Sequence, residues 1–156
     1  MKNEAIDFFI KQMDKQIPQE CLSEKSSVSE NKSTFKIEDA KNYTLCCIKV
    51  DDCWIKNIDV KKCDYLFYIH EPVLFIFVEL KGSDIKSAFL QIEHTFLRLK
   101  EKIKKCNGKF LGCITASFVP NHANQIIREL KMKALRDHQL KIEVKNKQYN
   151  FKIENL

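Results

Sequence analysis

The sequence predicts an α/β fold, with a central mixed β-sheet flanked by helices and a C-terminal β-hairpin. The run from 73 to 80 is apolar at nearly every position, which is typical of a strand buried on both faces in the middle of a sheet. Downstream, strand-like and helix-like stretches alternate, which favours parallel pairing of the strands. At 156 residues the chain fits a single domain, 1–156.

The N-terminal part of the chain combines one helix with a polar segment. Apolar residues at helical spacing predict a helix over about 3–16, ended near Pro18. The segment 19–34 is rich in Ser, Glu and Lys and nearly free of apolar residues, which predicts a mobile loop. A short helix or turn is expected around 35–39.

Three strands are expected before the central one, and the first two are joined by a tight turn at Asp51-Asp52. They lie near 43–50, 53–60 and 63–69. After the central strand, Ser83 or Asp84 can cap a long helix. The remaining predicted elements are this helix (85–105), a strand (110–118), a second helix (120–137) and a hairpin (140–144 with 149–153).

Composition restricts the class of protein. Hydrophobic residues make up 44% of the chain and include 11 Phe, enough for a sizeable core. No stretch is long and apolar enough for a membrane span, and the N-terminus lacks the apolar region of a secretory signal, so we expect a cytoplasmic protein with no membrane partner. The seven cysteines are odd in number and several lie in apolar runs, which fits reduced, packed thiols.

The net charge of +6 is compatible with a polyanionic partner. Only three of the 27 basic residues are arginine, so sequence-tolerant contacts from lysines to a phosphate backbone are expected rather than base readout by arginine. The alternative is that the lysines are simply a solvated surface.

A charged pair at the end of the apolar strand is the most informative feature. Glu79 and Lys81 are two residues apart, so their side chains leave the same face of the strand about 6.6 Å apart. A tight turn between His70 and Val73 would place Asp64 directly opposite Glu79, with Cβ atoms roughly 4.5 to 5.5 Å apart. Two carboxylates at that distance repel each other unless they share a cation.

This arrangement points to phosphodiester chemistry. Two carboxylates suit Mg²⁺ or Mn²⁺, hard cations that keep waters and accept phosphate oxygens as further ligands. The cation would polarise the phosphate and lower the pKa of a bound water. The ammonium group of Lys81 would orient that water or stabilise the developing negative charge.

The segments Cys63-Asp64-Tyr65-Leu66-Phe67 and Phe77-Val78-Glu79-Leu80-Lys81-Gly82 resemble the core signature of the PD-(D/E)XK, or restriction endonuclease-like, nucleases. The resemblance covers residues 43–118. It implies a mixed sheet flanked by helices, with metal-binding Asp64 and Glu79 and catalytic Lys81. It also implies that Gln91, on the following helix, positions the substrate or the lysine, and that Glu38 is an additional acidic ligand. Cys63 occupies the position of the proline that gives the family its name.

Two other Glu-x-Lys sequences occur in the chain, and their contexts differ. Glu129-Leu130-Lys131 lies in a predicted helix, and Glu143-Val144-Lys145 lies on the polar face of the predicted hairpin, where both charges meet water. Only Glu79 and Lys81 combine a buried strand with an acid in register. The alternative for this set is a structural ion pair.

The sequence therefore predicts a Mg²⁺-dependent nuclease acting on nucleic acid, DNA in preference to RNA, alone, as a homodimer or with a partner subunit. A second hypothesis is a nuclease-like binding or scaffold subunit with weak catalysis. A third is a small interaction protein in which a basic run serves only solubility. That run comprises Arg98, Lys100, Lys102, Lys104, Lys105 and Lys109.

Overall fold

The computed structural model describes residues 3–14 and 16–156, which form three layers. A six-stranded mixed sheet is the middle layer, three helices cover one face, and a three-stranded sheet covers the other. The helices are α1 (Glu4–Gln12), α2 (Ile85–Ile103) and α3 (Asn124–His138). The strands are β1 (Leu22–Ser23), β2 (Ser27–Glu30), β3 (Ser33–Ile37), β4 (Leu45–Lys49), β5 (Tyr65–Ile69), β6 (Leu74–Lys81), β7 (Lys109–Ala116), β8 (Lys141–Asn146) and β9 (Gln148–Phe151).

The main sheet has the strand order β1-β4-β5-β6-β7-β8. Strands β4, β5 and β6 form an antiparallel meander, and β6, β7 and β8 are parallel, so the sheet is mixed as predicted. Strand β6 is central and buried on both faces: Phe75 and Phe77 pack toward the helices, and Ile76 and Val78 pack toward the second sheet. The apolar run in the sequence is explained by these two cores.

The three predicted helices are confirmed, with shorter ends for the first. Asn3 caps α1 by accepting hydrogen bonds from the N–H groups of Ala5 and Ile6 at 2.8 and 3.1 Å. Asp84 caps α2 by accepting from the N–H of Ser87 at 3.1 Å. The apolar face of α2 lies on β6 and β7, which places Gln91 near the C-terminal end of β6. No helix in the described part of the chain is long and apolar enough to cross a membrane.

The polar segment 19–34, predicted to be a loop, is instead built from a 3-10 turn and strands. Strands β2 and β3 form a hairpin across Asn31 and Lys32, which have φ angles of 51° and 60°. The prediction was wrong because only alternate residues of this hairpin face the core, so few apolar side chains are needed. Of the short helix or turn expected around 35–39, only a turn at 38–39 is present, since β3 runs to Ile37.

The strand predicted at 53–60 is absent, because the chain after β4 turns back on itself. Asp52 adopts a φ of 58°, and the N–H of Ile55 donates to the carbonyl of Val50 at 2.9 Å. Trp54 packs edge-on against Phe9 at 5.7 Å between ring centroids, which gives it a core role. Ile58 is 91% exposed, whereas a strand of the sheet would have buried it.

The prediction of a C-terminal hairpin is wrong, although both of the predicted strands are present. Strand β8 pairs in parallel with β7, and the chain then turns at Lys147, where φ is 65°. Strand β9 pairs in parallel with β3 in the second sheet. Alternating apolar residues predict a strand but not the strand with which it pairs. Here β8 and β9 pair with β7 and β3 and not with each other.

Cys21 and Cys53 form a disulfide, which differs from the expectation that all seven thiols are reduced. Pairing of β1 with β4 brings Cys21 beside the loop that follows β4. The remaining cysteines are free, and four of them are buried: Cys46, Cys47, Cys63 and Cys113.

Candidate active site

The register of β5 and β6 brings the predicted acids together. Tyr65 pairs with Val78, so Asp64, the residue just before β5, stands beside Glu79 near the end of β6, as the sequence predicted. The N–H of Asp64 donates to Glu79 Oε1 at 3.0 Å. The N–H of Leu80 donates to Asp64 Oδ2 at 2.8 Å, and no residue of β5 pairs with Leu80, because β5 begins only at Tyr65.

Lys81 completes this set. Its Nζ lies 3.3 Å from Glu79 Oε2, and its side chain is 23% exposed, whereas that of Glu79 is 1% exposed. The ammonium group therefore lies at the mouth of the site, next to the buried carboxyl group of Glu79 at its base. The structure thus brings Asp64, Glu79 and Lys81 together as the sequence predicted.

These groups line a cavity of about 470 Å³ at the C-terminal end of β6. Its walls also contain Gln91 from α2, Asp51 from the loop after β4, and Glu30 and Asn31 from the β2-β3 hairpin. With four carboxyl groups and one lysine, the cavity as lined by the chain repels a phosphate. A phosphodiester can enter it only together with a cation, which is a physical reason to consider a metal here.

Burial controls ionisation in this cavity. Burial, and then the neighbouring Asp64 charge, raises the pKa of Glu79 to about 9, with Lys81 acting in the opposite direction. Burial also raises the pKa of Asp64, partly offset by the hydrogen bond from Leu80. A pKa of about 9 leaves Glu79 protonated at neutral pH when no cation is bound. A cation replacing that proton would relieve the repulsion.

The donor set fits a hard divalent cation held by two carboxylates. In the described ranges, no group of three or more His, Cys, Asp or Glu side chains is arranged to hold a metal ion. A Mg²⁺ ion that keeps several waters requires only one or two carboxylates from the protein, together with substrate phosphate oxygens. Asp64 and Glu79 meet that smaller requirement.

Gln91 lies in the cavity wall but is not bonded to Lys81. Its Nε2 donates to the carbonyl of Lys62 at 3.2 Å, and its Oε1 accepts from Ser87 Oγ at 3.3 Å. It therefore links α2 to the segment that leads into Asp64. This contact suits a positioning residue for the acid rather than for the lysine.

Glu38 is not part of the cavity. It is exposed, and its N–H donates to the carbonyl of Phe151 at 2.8 Å. The reason is that its segment forms β3 rather than a helix. The end of β3 closest to the cavity is Ser33, whose Oγ donates to the carbonyl of Lys81 at 3.0 Å. Glu38 lies five residues further along the chain, roughly 17 Å from that end.

Glu30 lines the cavity and was missed by sequence reasoning. Burial, and then the Asp64 charge, raises the pKa of Glu30. Asn31, next to it, donates from Nδ2 to the carbonyl of Leu80 at 3.0 Å, which fixes the hairpin tip to the end of β6. The sequence contains one signal for the hairpin that carries Glu30. Asn31-Lys32 lies between two segments in which polar and apolar residues alternate, and Asn is favoured in tight hairpin turns.

Thr95 supports the site from α2. It is fully buried, its Oγ1 accepts from the N–H of Cys63 at 2.7 Å, and the same hydroxyl donates to the carbonyl of Gln91 at 2.8 Å. The residue before Asp64 is thereby fixed to the helix. Thr115 on β7 is equally buried, but its Oγ1 has no hydrogen-bond partner among the described residues.

These two threonines give a matched stability prediction. Thr95→Val should lower the free energy of unfolding by about 1 to 3 kcal/mol, because it leaves the buried N–H of Cys63 without an acceptor. Thr115→Val, the same change of shape, should leave the stability unchanged or raise it, because it removes an unsatisfied hydroxyl. Urea unfolding of both variants tests this, with Thr95→Ser as the control that retains the hydroxyl. Equal losses in the two valine variants would contradict it.

Comparisons with family models, with curated proteins and with solved structures found no match to this chain.

Proposed function

We propose that this chain is a metal-dependent nuclease with a restriction endonuclease-like fold that hydrolyses phosphodiester bonds, with DNA as the substrate in preference to RNA. One observation carries the proposal: Asp64, Glu79 and Lys81 converge at the end of the central strand in an open cavity. The order of the elements supports the fold assignment. In the antiparallel meander, Asp64 immediately precedes the second strand and Glu79 lies on the third, and α2 then leads to the parallel strand β7.

Asp64 and Glu79 would hold Mg²⁺ or Mn²⁺ in this proposal. A divalent cation, when bound, supplies Lewis acidity toward the phosphate and makes a nucleophilic water available at neutral pH. The chain's own groups have separate tasks. Glu79 positions Lys81 through the 3.3 Å contact and, once deprotonated, would share the cation with Asp64. Lys81, partly exposed at the mouth, donates hydrogen bonds to the negative charge that develops as one P–O bond forms and another breaks.

The direct test is a cleavage assay. Purified protein is incubated with single- and double-stranded DNA and RNA in Mg²⁺, in Mn²⁺ and in EDTA. We expect cutting of DNA with either cation and none in EDTA. Absence of cutting under all conditions, with the protein folded, would reject the nuclease proposal.

A second function is favoured by a specific observation. Within the protein, the charged groups already satisfy one another: Glu79 accepts from the N–H of Asp64, Asp64 accepts from that of Leu80, and Lys81 contacts Glu79. Such a set could also serve as a structural ion-pair network in a nuclease-like binding or scaffold subunit. Nucleic-acid binding that is unaffected by EDTA, without cutting, would favour this alternative.

A further inference from the structure

The basic run at the end of α2 contributes to a second cavity, which the proposed nuclease site does not use. Lys100 and Lys104 lie near the end of α2, Lys109 begins β7, and Arg136 lies in the last turn of α3. Together they line a cavity of about 520 Å³. Because Leu74 pairs with Lys109 while Lys81 pairs with Ala116, the two cavities lie at opposite ends of β6 and β7, roughly 23 Å apart along the strand.

The charge of this second cavity is strongly positive. Three lysines and one arginine line it, against a single carboxylate, Asp137, which contacts Arg136 Nε at 3.1 Å. Side chains at the ends of α2 and α3 also complement the helix dipoles, which would explain part of the clustering without a ligand. Lys109 is on a strand, however, so the dipoles do not account for it.

Two aromatic side chains, Phe96 and Phe110, are among the residues that line the cavity. Phe110 is half-buried and meets Phe96 edge-on at 5.6 Å between ring centroids, and Leu111 lies beside them. Cationic groups around the partly exposed ring of Phe110 suit a phosphate-linked base, because the phosphate gains from the cationic groups and the base from contact with the ring.

An anionic membrane fits this cavity less well. Membrane-binding surfaces present exposed apolar side chains beside their basic groups. Among the described residues, the large exposed hydrophobic side chains all lie outside the cavity lining: Ile58, Leu97, Phe118, Ile126, Met132, Leu135 and Leu156. A concave, basic and aromatic site favours a nucleic-acid strand instead.

We propose that this cavity, defined by Lys100, Lys104, Lys109, Arg136 and Phe110, binds the backbone phosphates of a single nucleic-acid strand. It would be a second contact, on the side of the molecule opposite the acidic cavity. The site lets the protein hold a strand that is not the one at Asp64 and Glu79. This inference rests on the cavity itself, not on cleavage.

The test compares two triple variants with the same change in charge. Lys100→Gln, Lys104→Gln and Lys109→Gln are combined in one protein. Lys36→Gln, Lys41→Gln and Lys152→Gln, on exposed lysines of the second sheet and its neighbouring segments, are combined in the control. Affinity for a fluorescein-labelled single-stranded oligonucleotide is measured by anisotropy in EDTA over a salt series, so that no cleavage takes place.

We expect the cavity triple to weaken binding at least tenfold at low salt and to reduce the slope of log affinity against log salt by about 2, since each lost contact removes roughly 0.7 on single strands. The control triple should change affinity less than twofold. Equal weakening by both triples, or none by the cavity triple, would overturn the proposal. It would also be overturned if the cavity triple abolished sedimentation with phosphatidylserine vesicles while oligonucleotide binding was unchanged.

The result is independent of the proposed nuclease activity. Loss of binding in the cavity triple of a protein that never cuts DNA would support the strand site and reject the nuclease. Metal-dependent cutting by a protein whose cavity triple binds the oligonucleotide unchanged would support the nuclease and reject the strand site.

Discussion

Replacement of Lys81 by methionine is expected to slow metal-dependent cleavage by roughly 10² to 10³-fold while the protein remains folded. Methionine keeps most of the length and apolar volume of the lysine stem and removes only the ammonium group. That group lies 3.3 Å from Glu79 and is 23% exposed, so it can reach a phosphate at the mouth of the cavity. Single-turnover cleavage rates in Mg²⁺ measure the effect.

Asp64→Asn should slow cleavage at least as much as Lys81→Met, because it removes a charge that the proposed cation requires. Loss of about 4 kcal/mol of transition-state stabilisation corresponds to roughly 10³-fold in rate. The chain offers matched controls in its other Glu-x-Lys sequence on β8: Glu143 contacts Lys131 at 3.0 Å on the surface, and Lys145 is exposed. Glu143→Gln and Lys145→Met should cleave at the rate of the unmodified protein. Cleavage by Lys81→Met at that same rate would refute the role given to Lys81.

Replacing Glu79 with glutamine is expected to change how the free energy of unfolding depends on pH. Its pKa is raised to about 9 in the folded protein, from an ordinary value near 4.5, chiefly by burial. Between those values the folded state retains a proton that the unfolded state has lost. Stability in EDTA therefore falls as pH rises through this window, with a slope approaching 1.4 kcal/mol per pH unit for one full proton, as a rough upper value.

Glu79→Gln carries no such proton. The difference in free energy of unfolding between this variant and the unmodified protein should therefore grow in favour of the variant from roughly pH 5 toward pH 8, inside the window between the two pKa values. Urea unfolding in EDTA at several pH values measures it. Excess Mg²⁺ should reduce the difference, because a cation that binds only the folded protein stabilises it at the pH where the proton is lost. Parallel pH profiles for the two proteins in EDTA would contradict a buried, protonated Glu79.

The centre of the fold and of the site could be predicted because strong local signals agree there. The apolar run of β6 has no competing interpretation, and the short turn after His70 determines which residue of β5 faces Glu79. The periphery could not be predicted in the same way. Strands β2 and β3 contain few apolar residues, and the pairing of β9 with β3 joins segments more than 100 residues apart, which local periodicity does not reveal.

The errors at the site have the same origin. Glu38 was expected near the acids because its segment was interpreted as helical, whereas a strand carries it away from them. Glu30 was missed because its hairpin was interpreted as a loop. Both depend on how the second sheet docks on the end of β6 through Asn31 and Ser33, a contact between remote parts of the chain.

The central claim is that Asp64 and Glu79 together hold a divalent cation beside Lys81. A crystal of the protein soaked in Mn²⁺ and measured for anomalous scattering tests it most directly. We expect a single strong peak in contact with both carboxylates, absent from a crystal of Asp64→Asn soaked in the same way. A soaked crystal with no peak at these carboxylates, and with Glu79 still bonded to the N–H of Asp64, would contradict the claim.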